Sequence, residues 1–188
     1  MSEIVLFHHA LGLTDDVRAL ARDLEAAGHT VHLPDLYEGR TFTTVADGVA
    51  HASRELGFAT VIERGRAAAE ALPPDIVYIG ISLGVLPAQY LAQTRPGTRA
   101  AALLESAVPL AEFGTPWADG VPLQIHLAEH DEVTAEDLPA ARAIAAEVST
   151  AELFLYPGDR HLFTDPSLPS YDEPAAAQVK QRVLELLG

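Results

Sequence analysis

Cysteine is absent from the 188 residues, so neither a disulfide nor a thiolate nucleophile is available to this chain. That absence carries no information about compartment. Basic residues are scarce as well: 12 Lys and Arg stand against 27 Asp and Glu, for a formal charge of −15 and a pI of about 4.7. The acidic residues are dispersed over helix faces, which suits a solvated surface and argues against nucleic acid or an anionic membrane as a partner. Long apolar runs are missing too. No stretch has membrane-spanning length, and neither a secretory signal nor a lipidation motif is recognisable, so residence in the cytoplasm is the expectation. Internal repeats, low-complexity tracts and linkers are likewise lacking. What is present is a hydrophobic content of 48% over 188 residues, enough to bury one core in one domain spanning 1–188, without room for a large lid.

Strand-like and helix-like segments alternate along the chain, the pattern of a mostly parallel sheet with helices on both faces. Strands are expected over 3–7, 30–33, 75–79, 100–104, 123–127 and 152–156, giving about six to seven in all. Thr14 caps a helix whose apolar stripe is Val17, Leu20, Ala21 and Leu24, and Gly28 stops it. Residues 41–56 mix turn formers with a short helical pattern. A helix follows from about Thr60 to Leu72, ending before Pro73 and Pro74. Thr134 is expected to cap another, with Asp137 as its capping-box partner. The last helix starts near Asp172 and turns Val179, Val183 and Leu186 toward the sheet.

One pentapeptide carries chemistry. Gly80-Ile81-Ser82-Leu83-Gly84 follows an apolar strand and opens a helix, the context in which a serine hydroxyl is presented on a tight, strained turn. Glycines two residues either side remove clashes with neighbouring backbone. With 13 Gly and 7 Ser in the chain, about 0.03 chance matches to Gly-x-Ser-x-Gly are expected, so the pattern carries weight. A serine alone is a weak nucleophile and needs a base held by a third group. Asp131 lies just past the strand 123–127, and His161 just past the strand 152–156, so the order is serine, acid, histidine. In an open parallel sheet such strand ends line the ligand crevice. Glu129 and Glu132 compete with Asp131 for the acid role, but aspartate at the strand exit is favoured. Asp131 could instead cap the next helix, and His161 alone would read as a surface histidine.

These residues resemble the dienelactone hydrolase family of the α/β-hydrolase superfamily. The likeness rests on Pro34-Asp35-Leu36-Tyr37-Glu38-Gly39, the Ser82 pentapeptide, His130-Asp131 and Tyr156-Pro157-Gly158-Asp159-Arg160-His161. The resemblance implies a minimal α/β-hydrolase fold in which Ser82 is the nucleophile, His161 the base and Asp131 its orienter. It further implies an oxyanion hole from the backbone N–H groups of Leu83 and Ala10, and places His9 near the nucleophile. His8 and His9 could suggest a metal, but adjacent residues at a strand exit point apart and no third ligand has suitable spacing. No cofactor is expected. The loop 106–120 holds the only tryptophan, Trp117, which could face the substrate, though an aromatic plugging a surface gap is the more frequent arrangement.

Three departures limit how far the resemblance carries, and the first two bear on the substrate. Ser82 stands where the namesake enzymes use cysteine, so the base matters more. Asp165 lies where they place a substrate-binding arginine, and a carboxylate there would repel an anion. Pro87 should kink or delay the helix after Ser82. The expected activity is therefore hydrolysis of small neutral esters or lactones through an acyl-enzyme. A hydrolase-fold binding module with little turnover, and an acyltransferase, are the alternatives. Oligomeric state is not legible.

Overall fold

The computed structural model describes all 188 residues. Six strands form one sheet: β1 (Glu3–Phe7), β2 (Thr30–His32), β3 (Ile76–Ile81), β4 (Ala100–Leu104), β5 (Leu123–Ala128) and β6 (Ala151–Tyr156). Every pairing is parallel, in the order β2-β1-β3-β4-β5-β6. Because β2 and β3 flank β1 on opposite sides, the chain reverses its direction of winding between β1 and β3. The carboxyl ends of those two strands open the crevice where such folds take ligands.

Burial explains why the strands read as near-continuous apolar runs. Along β3, Ile76 and Tyr78 face one layer while Val77, Ile79 and Ile81 face the other. One layer is completed by α1 (Asp15–Ala26) through Val17, Ala21 and Leu24, and by α6 (Glu173–Leu187) through Ala175, Val179, Val183 and Leu187. The other is covered by α3 (Phe58–Ala69), α4 (Val85–Thr94) and α5 (Asp137–Glu147), through residues such as Val61, Val85, Leu91 and Ile144. Each fully buried Val, Ile or Leu contributes ~1.5–3 kcal/mol over an exposed one. These two layers, not the helix propensities, dominate stability.

Helix starts follow their caps. Thr14 accepts the Val17 N–H at the start of α1, and Asp172 accepts that of Ala175 at the start of α6, with Pro174 in the first turn. Where expectation and structure differ, the reasons are local. The helical pattern in 41–56 resolves into α2 (Val45–Ala50), capped by Thr44, which runs into a π-helical turn at His51–Leu56. Gly57, at φ +81°, then lets the chain restart as α3 at Phe58 rather than Thr60. Pro87 does delay α4, since Ser82–Gly84 forms a 3₁₀ turn first. It then falls in the first turn of α4, where a missing N–H removes no helical hydrogen bond. α5 begins at Asp137 with Glu136 at its N-cap, so Thr134 lies too far upstream to cap it, and its hydroxyl donates to Asp131. No helix is long and apolar enough to cross a membrane.

Candidate active site

Three strand exits bring Ser82, Asp131 and His161 together. The turn after β3 holds Ser82 at φ +49°, a left-handed conformation that a non-glycine residue adopts only under constraint. The glycines supply it. A Cβ on Gly84 would stand 2.4 Å from the Phe7 carbonyl oxygen and 2.7 Å from that of His8, and one on Gly80 would stand 2.4 Å from the Gly84 oxygen. The turn is thus pressed directly against the exit of β1, where the Ala10 loop begins.

The Ser82 hydroxyl lies 2.7 Å from His161 Nε2, and His161 Nδ1 lies 2.6 Å from Asp131 Oδ2. With Nδ1–H donating to the carboxylate, Nε2 is left to accept the serine proton. Asp131 is held in turn: Oδ1 accepts the Val133 N–H at 2.9 Å and Oδ2 the Thr134 hydroxyl at 3.0 Å. Burial works to raise the Asp131 carboxyl, but these donors and His161 hold it below the usual carboxylate value. For His161 burial works against the imidazolium. The neighbouring carboxylates, Asp131 first, then Glu105 and Asp137, outweigh it and raise the imidazole above its ordinary value. Glu129 and Glu132 are exposed and take no part.

The loop after β1 is built from two buried histidines. His8 Nε2 accepts the Leu36 N–H at 3.0 Å, so its Nδ1–H donates to the His9 carbonyl at 2.8 Å. Burial pushes the His8 imidazole down to about 4, which keeps it neutral in that role. The Pro34–Gly39 segment therefore buttresses the loop, and it is itself a turn held by Asp35, whose carboxylate accepts the N–H groups of Tyr37 and Gly39. His9 is not a free substrate-side group as expected: Nδ1 accepts the Leu11 N–H at 3.3 Å and Nε2–H donates to Asp165 Oδ2 at 3.0 Å. Asp165 also accepts from Ser167, and is buried. Its carboxylate is thus spent inside the protein rather than aimed at a ligand. Nowhere do three His, Asp or Glu side chains gather in an arrangement able to hold a metal ion.

Trp117 corrects the other substrate-side candidate. It is buried in the core, and its indole N–H donates to the Val121 carbonyl, just before β5 begins. That is the amino end of the sheet, opposite the crevice. What the sequence left unmarked is Glu105, at the exit of β4, which is 1% exposed and bonded to Phe163 and Thr164 just after His161. The signal that selected Asp131, a carboxylate directly after a buried strand, was present there too.

A cleft of about 720 Å³, lined by none of Ser82, Asp131 and His161, lies one helical turn along the chain from Ser82, where Leu86 and Tyr90 of α4 face Val108 and Phe113 of the loop after β4. Phe58, 45% exposed, forms its outer wall. Four carboxylates line it, those of Glu63, Glu112, Glu136 and Asp137, and no basic side chain does. Asp137 accepts the Ser106 hydroxyl at 2.6 Å, pinning that loop to α5. A smaller cavity of about 330 Å³ between α1 and α6 includes His9 and Asp165 but none of Ser82, Asp131 and His161.

The sequence matches the dienelactone hydrolase family over residues 1–188. The chain belongs to that family. As a family member it is a hydrolase acting on ester bonds. Curated proteins offer no significant match. Among solved structures it is similar to a dienelactone hydrolase from Anabaena variabilis, at 22% identity and a TM-score of 0.71, covering 99% of this chain and 85% of that one. It also resembles Thermogutta terrifontis esterase 2, solved phosphorylated by paraoxon, at 20% identity and a TM-score of 0.62, covering 99% and 81%. A protein of the α/β hydrolase superfamily from Xanthomonas campestris is 26% identical with a TM-score of 0.61, covering 98% and 99%. The likeness to the first two supports the α/β-hydrolase fold of this family member and nothing finer.

Proposed function

We propose that the protein is a serine carboxylesterase or lactonase that cleaves small neutral substrates through an acyl-enzyme. The observation that carries this reading is the unbroken relay from Ser82 Oγ through His161 to Asp131, with contacts of 2.7 and 2.6 Å. Ser82 attacks the carbonyl as His161 takes its proton. The oxyanion rests on the N–H groups of Leu83 and Ala10, each such donor contributing ~3–4 kcal/mol at the transition state. His161 returns the proton to the leaving alcohol, and water then resolves the acyl-enzyme by the same route.

Substrate charge follows from the cleft. Apolar walls suit an aliphatic or aromatic substituent, while Glu112, Glu136 and Asp137, left after Glu63 is paired with Arg66, disfavour an anionic one. With Asp165 occupied by His9, nothing in the site replaces an arginine clamp for a substrate carboxylate. The cytoplasm remains the proposed location, and no cofactor is required by the chemistry.

Labelling with a fluorophosphonate probe tests the reading. Stoichiometric labelling that Ser82→Ala abolishes supports it, together with a fall in kcat of roughly 10⁴- to 10⁶-fold in a variant that still folds. An unlabelled wild-type protein would instead support a hydrolase-fold binding module. Because neutral His161 is the base, kcat/KM should decline toward acid as the imidazole binds a proton. Its raised proton affinity places that limb above pH ~6.5. A limb below that value contradicts the raised proton affinity, and the absence of any acid limb contradicts the assignment of His161.

A further inference from the structure

Leu162 follows the histidine at φ +57° and is fully buried, so a branched, bulky residue is held in the left-handed region beside His161. Something must enforce that conformation, since no glycine is present to relieve it. Glu105 does so from another strand. Its Oε2 accepts the Phe163 N–H at 3.0 Å, and its Oε1 accepts both the Thr164 N–H at 3.2 Å and the Thr164 hydroxyl. These bonds anchor the two peptide groups that follow Leu162, so with His161 held on Ser82 on one side and Phe163 and Thr164 held on Glu105 on the other, Leu162 is the residue at which the chain turns. Glu105 is itself fixed, at φ +61°, by its own N–H donating to the His126 carbonyl at 2.7 Å.

We propose that Glu105 is a positioning residue for His161, keeping Leu162 left-handed and so holding the imidazole on the Ser82 hydroxyl. The Phe163 and Thr164 N–H groups can only donate, so both oxygens of Glu105 serve as acceptors, which suits an ionised carboxylate; the Thr164 hydroxyl is the one partner that could accept in return. Burial pushes that carboxyl upward and outweighs the opposing pull of His161 and the Thr164 donors, so its proton affinity is raised. His161 is faced by Asp131 from β5, Asp137 from α5 and Glu105 from β4. Glu105 thus has two effects on the base: it places the ring, and its charge favours the protonated imidazole formed when Ser82 is deprotonated.

The inference rests on the esterase reading, and the experiment separates the two. Glu105→Gln, Thr164→Val and Thr164→Ser would be compared with the wild-type chain in hydrolysis of p-nitrophenyl butyrate, and the His161 ring would be titrated by NMR. For Glu105→Gln, kcat should fall by about 10²-fold with KM changed less than about twofold, because misplacing a reacting group acts on the chemical step. The His161 midpoint should move to lower pH. Should that variant not fold, Thr164→Val decides: it removes one arm, kcat should fall about 3- to 10-fold, and Thr164→Ser should restore it. Folded Glu105→Gln with wild-type kcat and an unmoved His161 midpoint overturns the proposal, as does a Thr164→Val loss that serine does not restore. If the wild type shows no Ser82-dependent turnover, the esterase reading falls, and the His161 midpoint still decides the role of Glu105.

Discussion

The two halves of the site hold strained backbone by opposite means. At the Ser82 turn the constraint is steric and made of absence: Gly80 and Gly84 let β1 and the turn approach more closely than any side chain would permit. At the His161 loop the constraint is long-range and made of charge. Glu105 reaches Phe163 and Thr164 across 58 and 59 residues, and Asp165 reaches His9 across 156. Steric constraint is insensitive to pH and salt and fails all at once. Polar constraint is graded, because each hydrogen bond can be weakened alone.

That contrast can be broken at either end. The largest effect is expected from Gly84→Ala. Its Cβ would collide with backbone that has no rotamer to yield, so stability should fall by about 3 kcal/mol and kcat by about 10²-fold or more. A melting temperature close to wild type would show that β1 can retreat and that the turn is not sterically set. A smaller effect belongs to Asp165→Asn, which keeps an acceptor for His9 but removes the charge. A fall in kcat of about 3- to 10-fold is expected, with the fold intact. Loss on the scale of Gly84→Ala would mean that the histidine loop is as brittle as the turn. Trp117→Phe should do least: about 1 kcal/mol of stability from the lost bond to Val121, with kcat and KM unchanged. A KM raised tenfold would return Trp117 to the substrate side.

The same contrast accounts for what the sequence revealed. A glycine pair and a cap residue leave a local signature, so the Gly-x-Ser-x-Gly turn, the Thr14 cap and the six strands are legible directly. Ser82 directly follows β3, and Asp131 and His161 lie three and five residues past β5 and β6; a parallel sheet gathers such strand exits at one edge. Long-range constraint has no such signature. The pairing of His9 with Asp165 joins residues from the two ends of the chain, and each alone suggested a different role. Glu105 escaped because its strand, Ala100–Leu104, was read only for its burial. Thr134 shows this in one residue: its sequence context is that of a helix cap, but α5 starts two residues later than that context implies, and the hydroxyl donates to Asp131.

The acidic lining of the cleft beside α4 has a consequence for the end of the reaction rather than its start. On the proposed reading, cleavage turns a neutral ester into an alcohol and a carboxylate, and an acid product passing this cleft would meet Glu112, Glu136 and Asp137 as an anion. A wall that tolerates the neutral ester repels the ion it becomes. Acid accumulating in the surrounding solution would then be poorly placed to return and inhibit the enzyme.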